Sequence, residues 1–356
     1  MTTTTPPLRL GVLLGSERAP GHTSADVFAR TLALAKAAEN LALDDLWVTE
    51  HHFLDTSVNP SALTLAAFLL GHTQHLRVGT AVTLLPLHPP VHVAEQAALL
   101  DHLSGGRFAL GVGRGQPAAE YEVIGRGIEH WQHGLGEALD IVHNAWNGTA
   151  QSQTNLHAFR EVPVVPEPRP GTRPPIHVAA SSPATIETAA TRGLPLLLFY
   201  DKNAEAKADM VALHAKLAAA AGHRADGYEH AFALYAHVTD TPEQAHALMR
   251  ARAQRLLEGD HQLQLLTSND PPSTDPAVDD ALIDAVTERL LVTQPVGDAA
   301  TCAQRLADHI TISGCTTVLC HVETDPSTAL HNLRRLATDV FPAVRAQLST
   351  TAGAPQ

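Results

Sequence analysis

The sequence predicts an α/β fold, a (β/α)8 TIM barrel with insertions. Short apolar segments of strand length alternate with segments of helical length, about eight such pairs follow one another, and no GxGxxG motif follows the first strand. Repeated strand–helix pairs over about 250 residues or more are typical of an α/β barrel. A doubly wound sheet is the alternative that this pattern leaves open. We expect all 356 residues to form one domain, with its core at about 8–345 and flexible termini.

Four strands are predicted in the first half of the chain. Each is a short apolar run, and the helices between them have apolar residues at helical spacing. Asn59-Pro60-Ser61 is a helix start signal, and Ser104-Gly105-Gly106 is a stop signal. The predicted strands are 8–14, 46–48, 77–84 and 107–112, and the predicted helices are 25–41, 61–70, 91–102 and 135–146.

The second half continues the alternation after a connection at 150–175 that is rich in Pro, Thr and Arg. The segment 259–280 is rich in Pro, Asp and Ser, and we expect it to be a long mobile loop that closes over the site as a lid. Insertions are therefore predicted after the fourth and seventh strands. The predicted strands are 176–180, 196–200, 231–238 and 316–322, and the predicted helices are 183–192, 204–221, 242–257, 301–312 and 327–340.

Composition excludes several classes of function. The chain has 24 Lys and Arg against 37 Asp and Glu, a net charge of −13, so nucleic-acid binding and attachment to an anionic membrane are not expected. No apolar run is long enough to span a bilayer. The Thr/Pro-rich segment 1–7 does not resemble a signal peptide, and three cysteines fit a reduced compartment. We expect a cytoplasmic protein.

Histidine is unusually abundant, with 22 residues, which raises the alternative of a metal protein. The sequence has no HExxH motif, and Pro89 and Pro90 separate His88 from His92, so these two rings cannot share one helical turn. We expect no metal site.

In a barrel, the residues just after each strand carry the chemistry. Ser181 and Ser182 at a helix start, with Arg114 after the fourth strand, supply the hydroxyls, N–H donors and charge that bind a phosphate. His51 follows the second strand, where it can act as a general base. An N-cap role for Ser181, a surface salt bridge for Arg114 and a structural role for His51 remain the alternatives.

A series of motifs, in order and spacing, resembles the bacterial luciferase-like monooxygenase family. The resemblance covers roughly residues 8–345. It rests on Thr49-Glu50-His51-His52-Phe53, Asn59-Pro60-Ser61, Gly79-Thr80-Ala81-Val82, 85–91, Ala94-Glu95, 100–108, 111–115, Val178-Ala179-Ala180-Ser181 and Pro295-Val296-Gly297.

This resemblance implies a two-component monooxygenase that uses reduced FMN, supplied by a separate flavin reductase, and dioxygen to oxygenate a small organic substrate. It implies that His51 is catalytic, that Arg114 and Ser181 bind the flavin phosphate, and that a non-prolyl cis peptide joins Ala81 and Val82 against the isoalloxazine. A deazaflavin-dependent oxidoreductase and a non-catalytic flavin-binding protein are the alternatives. Glu50, Ala180 and Ser182 complete the expected cofactor-binding set.

The resemblance also implies a homodimer, with His52 and Glu95 at its interface. We expect the predicted helix 91–102 to present an apolar stripe of Val93, Ala97 and Leu100 to a second copy. Light-emitting members have a cysteine where this chain has Gly113, so the resemblance extends to the barrel and the flavin site and less to luminescence.

Overall fold

The first half of the chain builds one side of a barrel in the computed structural model. The structure describes residues 6–116, 119–124, 126–267 and 276–352. In chain order, the elements are β1 (Arg9–Leu14), α1 (Ser24–Asn40), β2 (Asp45–Val48), α2 (Ala62–Gly71), β3 (Arg77–Thr80), β4 (Thr83–Leu84), α3 (Pro90–Ser104), β5 (Phe108–Gly113), α4 (Ala119–Val123), α5 (Ile128–Ala145), β6 (Thr149–Gln153) and β7 (Ala158–Pro163).

The second half completes the barrel and adds a helical insertion. Residues Leu336–Val340 form a π-helical turn between the last two helices. The elements are β8 (Ile176–Ala179), α6 (Pro183–Ala190), β9 (Leu196–Leu198), α7 (Ala204–Ala220), β10 (Ala231–Tyr235), β11 (His237–Val238), α8 (Pro242–Thr267), α9 (Pro276–Thr293), β12 (Val296–Gly297), α10 (Ala299–Ser313), β13 (Thr317–His321), α11 (Ala329–Arg335) and α12 (Phe341–Ala352).

The main sheet is a closed barrel of eight parallel strand positions, which confirms the predicted fold class. Its strands follow the order β3-β2-β1-β13-β10-β9-β8-β5-β4, and a pairing of β3 with β5 closes the ring. β3 and β4 share one position, because the strand predicted at 77–84 is interrupted at Ala81 and Val82. β6 and β7 form an antiparallel hairpin outside the barrel. In the described residues, no helix is both long and apolar enough to cross a membrane.

Two apolar layers hold the barrel together, because strand side chains alternate between its inside and its outside. Leu13, Trp47 and Leu319 belong to a buried cluster inside the barrel. Their chain neighbours Leu14 and Val48 pack outward, in the larger cluster between the strands and the surrounding helices. Inward-facing strand residues therefore line the interior of the barrel, and outward-facing ones contact the helices.

The segment 259–280, predicted to be a loop, is largely helical where the structure describes it. α8 continues past residue 257 to Thr267, and α9, which was not predicted, begins at Pro276; residues 268–275 lie outside the described residues. Packing explains this difference. Met249 of α8 and Leu290 of α9 share a buried cluster, and Arg250 pairs with Asp280 at 3.2 Å.

Several other predicted boundaries move. α5 begins at Ile128 instead of 135, and the strand predicted at 231–238 divides into β10 and β11. The final helix predicted at 327–340 becomes α11, the π-helical turn and α12. The predicted flexible termini fall largely on residues 1–5 and 353–356, which lie outside the described residues.

Candidate active site

The residues expected to be functional follow strands that all end at one face of the barrel. Because the strands are parallel, their carboxyl ends form a single rim, where barrel enzymes place their active sites. A cavity of about 190 Å³ lies at the opposite end, near Tyr228, His230 and Thr316, which precede their strands. We therefore place the candidate active site at the carboxyl-end rim.

His51 lies on the inner side of this rim. β2 ends at Val48, three residues before His51, and the groups that act on the charge of His51 include His321, which pairs with the inward-facing Leu13 of β1. The backbone N–H of His51 donates to the carbonyl of Asn59 at 2.9 Å. The imidazole is exposed in the open rim, yet the surrounding protein limits its hydration and lowers its pKa, an effect that the carboxylate of Glu17 opposes. A neutral ring near pH 7 can accept a proton.

Glu50 and His52 turn to the outer side, away from His51. The Glu50 side chain is 1% exposed, accepts from the backbone N–H groups of Ala62 and Leu84 at 2.9 and 3.2 Å, and contacts His88 Nε2 at 2.9 Å. Burial raises the pKa of Glu50, but His52, His88 and the N–H of Ala62 together outweigh burial and bring it to about 2. His52 Nε2 lies 3.8 Å from the same carboxylate. The structure therefore uses Glu50 to hold α2 and β4 in place.

The peptide bond between Ala81 and Val82 is cis, which confirms the expected geometry at this position. Both side chains belong to the cluster inside the barrel. Val82 also fills the space above Gly113, since a Cβ atom on Gly113 would lie 2.8 Å from Val82 Cγ2 and 3.2 Å from the Cβ of Ala179. These three residues form a smooth apolar floor without polar side chains, which fits a planar ring.

Arg114 is the next residue after Gly113. None of the described residues is an acidic partner of Arg114, so among them it does not form the surface salt bridge that was the alternative. Its guanidinium stacks on the ring of Trp131 at 4.4 Å, and Nη1 donates to the Trp131 carbonyl at 3.4 Å. The side chain is half-buried. A half-buried cation without a carboxylate is suited to an anionic ligand.

Ser181 and Ser182 divide the two roles expected at this helix start. Ser182 is the N-cap of α6, and its Oγ accepts from the backbone N–H of Thr185 at 3.4 Å. The Ser181 hydroxyl is exposed and has no hydrogen bond within the described chain. β5 and β8 are paired neighbours, so Arg114 and Ser181 follow adjacent strands. Ala180 lies in the outer core, so its side chain faces away from the rim.

A charged cluster that the sequence analysis did not predict occupies the opposite side of the rim. The buried carboxylate of Glu17 lies 2.5 Å from Arg252 Nη1 and 3.3 Å from His321 Nε2. Arg252 also donates to the hydroxyl of Tyr235 at 2.8 Å. Burial raises the pKa of Glu17, but Arg252 and His321 outweigh burial and hold it well below its ordinary value. The carboxylate is therefore ionised at neutral pH.

The apolar stripe expected to form a dimer faces the chain's own core instead. Val93, Ala97 and Leu100 are all buried between α3 and the barrel. The outward face of α3 carries the half-buried Glu95 together with Leu103, which is 73% exposed. His52 lies against Glu50 of its own chain.

The fold and this rim define a class: α/β barrels whose rim places an apolar floor beside an arginine that has no acidic partner among the described residues. A family model described as luciferase-like monooxygenase matches residues 8–317. The chain therefore belongs to the luciferase-like monooxygenase family, which confirms the resemblance identified from its motifs, and it is an oxidoreductase of the monooxygenase type.

Two relatives show the extent of the sequence similarity. The alkanal monooxygenase alpha chain of the Kryptophanaron alfredi symbiont is 30% identical over 244 residues, which cover 68% of each chain. The oxygenase component of flavin-dependent trigonelline monooxygenase from Acinetobacter baylyi is 29% identical over 189 residues. That match covers 52% of each chain, so this protein spans about half of that relative.

Solved structures share the fold at lower identity. The oxygenating constituent of 3,6-diketocamphane monooxygenase from Pseudomonas putida, in complex with FMN, has a TM-score of 0.73 and 18% identity, and the match covers 95% of this chain and 98% of that one. An F420-dependent secondary alcohol dehydrogenase has a TM-score of 0.76 and 18% identity, covering 96% and 100%. These two matches establish the fold alone.

Proposed function

We propose that this protein is the oxygenase component of a two-component monooxygenase that binds reduced FMN. The observation that carries the proposal is the corner at the ends of β5 and β8 where, among the described residues, Arg114 has no carboxylate partner and the Ser181 hydroxyl has no hydrogen bond. A phosphate provides the charge and the acceptor atoms that these groups lack. The apolar floor of Val82, Gly113 and Ala179 lies beside them and fits the flavin ring.

The positions of these residues on the rim suggest a separate role for each of them. Reduced FMN, when bound, supplies the electrons that activate dioxygen. The chain's own residues orient the flavin through Arg114 and Ser181, and the apolar floor excludes water from one face of the ring. His51, turned inward and neutral near pH 7, is positioned to hold a proton during substrate oxygenation.

The partners in this proposal are a small organic substrate and a flavin reductase. The relative from Acinetobacter baylyi is itself an oxygenase component, which supports a separate reductase here. Reduced flavin would reach this protein by diffusion or by transient contact with the reductase. We also propose that the protein acts in the cytoplasm.

The cofactor is tested by anaerobic titration with reduced FMN, reduced riboflavin and reduced F420. We expect Arg114→Ala to weaken FMN binding by about 10- to 150-fold, because one charge-assisted bond to a phosphate contributes about 1.5–3 kcal/mol. Riboflavin, which has no phosphate, should bind this variant and the wild type with similar affinity.

Arg192→Ala is the matched control, because Arg192 pairs with Asp140 at 2.7 Å beyond the other end of α6 and should not affect either ligand. Equal losses for FMN and riboflavin would contradict a phosphate contact for Arg114. Tighter binding of F420 than of FMN by the wild type would favour the deazaflavin alternative.

A homodimer remains part of the proposal, on a different surface from the predicted stripe. Leu99 and Leu103 of α3 and Phe68 of the adjacent α2 are 46%, 73% and 47% exposed. Apolar side chains grouped in this way are typical of an interface between copies. Light scattering should give about twice the 37.8 kDa of one chain, and a monomer at micromolar concentration would contradict this.

A further inference from the structure

Glu17 and His51 occupy equivalent places at the ends of neighbouring strands. Leu14 of β1 pairs with Val48 of β2, and the ladder continues with a bond of 3.1 Å from Thr49 N–H to the Leu14 carbonyl. Glu17 and His51 each lie three residues beyond that pair. Adjacent strands are about 4.8 Å apart, so this register brings both residues to the same stretch of the rim.

The backbone beyond the strands keeps this arrangement in place. Glu17 forms an isolated antiparallel bridge with Ser57, and the backbone N–H of His51 donates to the carbonyl of Asn59. The two residues therefore dock against the same short segment, 57–59. His321 of β13 pairs with the inward-facing Leu13 of β1, and Glu17 contacts His321 Nε2 at 3.3 Å, so the carboxylate of Glu17 lies on the inner side of the rim.

The carboxylate of Glu17 is fixed and charged. Arg252 and His321 contact it at 2.5 and 3.3 Å, and Arg255 Nε lies 4.0 Å away. The Glu17 side chain is only 11% exposed, so water screens its charge weakly.

Four titratable groups act on the charge of His51. Glu17 and Glu50 favour its protonated form, whereas His52 and His321 oppose it. Glu50 turns to the outer side and is already bound by Ala62 and Leu84. Glu17 is thus the carboxylate that shares the inner side with His51.

We propose that Glu17 is a positioning residue for His51: its carboxylate balances the charge that the imidazole gains when it accepts a proton. The role of this pair in turnover rests on the function proposed above, but the charge relation between the two side chains does not. His51 is the group that touches the reacting molecules, and Glu17 acts through it.

Histidine titration by NMR on the ligand-free, full-length protein tests the charge relation. The signal of His51 is assigned by its loss in His51→Gln. We expect Glu17→Gln to lower the pKa of His51 by about one unit, because the imidazolium loses a nearby opposite charge. In turnover, the acidic limb of the pH profile should move in the same direction.

Glu323→Gln is the matched control. This glutamate is fully buried near the rim, but its carboxylate contacts Arg30 at 3.2 Å and the N–H of Ser16 at 3.0 Å, and the largest electrostatic effects on His51 come from other groups. Its substitution should change the pKa of His51 clearly less than Glu17→Gln does.

Removing Glu17 alone leaves Arg252 buried without its partner, so Glu17→Gln could unfold the protein. The double variant Glu17→Gln/Arg252→Gln removes both charges and should still lower the pKa of His51, but by less than Glu17→Gln does, because the positive charge of Arg252 is lost as well. A folded variant, single or double, in which the pKa of His51 is unchanged would overturn the proposal. Failure of the protein to bind FMN would overturn the proposed function and leave the NMR result standing.

Discussion

The two sides of the rim differ in how completely the chain satisfies its own polar groups. On the open side, formed by β4, β5 and β8, the described residues include no carboxylate partner for Arg114 and no hydrogen-bond partner for the Ser181 hydroxyl. On the paired side, formed by β1, β10, β13 and α8, Glu17 is bound by both Arg252 and His321. Polar groups without partners can form new hydrogen bonds or ion pairs with a ligand, so the open side is suited to binding. The polar groups of the paired side already bind one another, so that side holds a charged carboxylate at a fixed position.

His51 lies at the boundary between the two sides and should show the largest effect. We expect His51→Ala to bind reduced FMN normally but to lose product formation by about 10²- to 10⁴-fold, the usual contribution of a general acid or base, with hydrogen peroxide released instead. His52→Ala is the matched control, because that ring lies near Glu50 on the outer side. Stopped-flow kinetics with product analysis makes the measurement. If His52→Ala is instead the folded variant that loses product, the two roles are reversed.

Replacing one arginine by methionine on each side of the rim should lower the free energy of unfolding by different amounts. Arg252→Met removes the shortest ion-pair contact of the buried Glu17 carboxylate and leaves it with His321 and the more distant Arg255, which should lower the free energy of unfolding by about 3 kcal/mol. Arg114→Met loses its stacking on Trp131, about 0.5–1 kcal/mol, together with a long hydrogen bond of 3.4 Å to the Trp131 carbonyl. Urea unfolding without flavin measures both.

The pH dependence of that difference has a definite sign. The pKa of Glu17 is held below its ordinary value, so its contribution is complete above about pH 4.5 and is lost as the pH falls further. The gap between wild type and Arg252→Met should therefore narrow in acid. If the two methionine variants had equal free energies of unfolding at pH 7, the two sides of the rim would not differ in how strongly their arginines are bound within the chain.

The smallest expected effect distinguishes two neighbouring residues, Ser181 and Ser182. Ser182→Ala removes the N-cap of α6 and should lower the free energy of unfolding by about 1 kcal/mol. Ser181→Ala should stay within about 0.5 kcal/mol of wild type, because that hydroxyl has no partner among the residues that the structure describes. Only Ser181→Ala should weaken FMN more than riboflavin. The opposite assignment of the two losses would contradict a phosphate role for Ser181.

The open side could be predicted from sequence because its evidence is local. Arg114 and Ser181 each follow directly on a recognisable strand, and Ser182-Pro183 marks a helix start without any knowledge of the fold. The barrel itself was predictable for the same reason, since each strand–helix pair carries its own pattern.

The paired side could not be predicted in this way. Glu17 and Arg252 are 235 residues apart in the sequence, so no local pattern links them. Taken by itself, Glu17 has the sequence context of an ordinary loop residue. The stripe of Val93 and Leu100 shows a related limit: an apolar helix face must be covered, but the pattern is the same whether the chain's own barrel or a second copy covers it. α9 was missed because its best support is contact with α8, not a stripe of its own.

The close packing of Gly113 has a consequence for how this protein can evolve. Any side chain at position 113 needs the space that Val82 occupies, because a Cβ atom there would lie 2.8 Å from Val82 Cγ2. A mutation at either position alone creates a clash or a void, whereas a paired exchange can restore the fit. Positions 82 and 113 are therefore expected to show epistasis and to change together as lineages diverge, so that the shape of the floor is inherited as one unit.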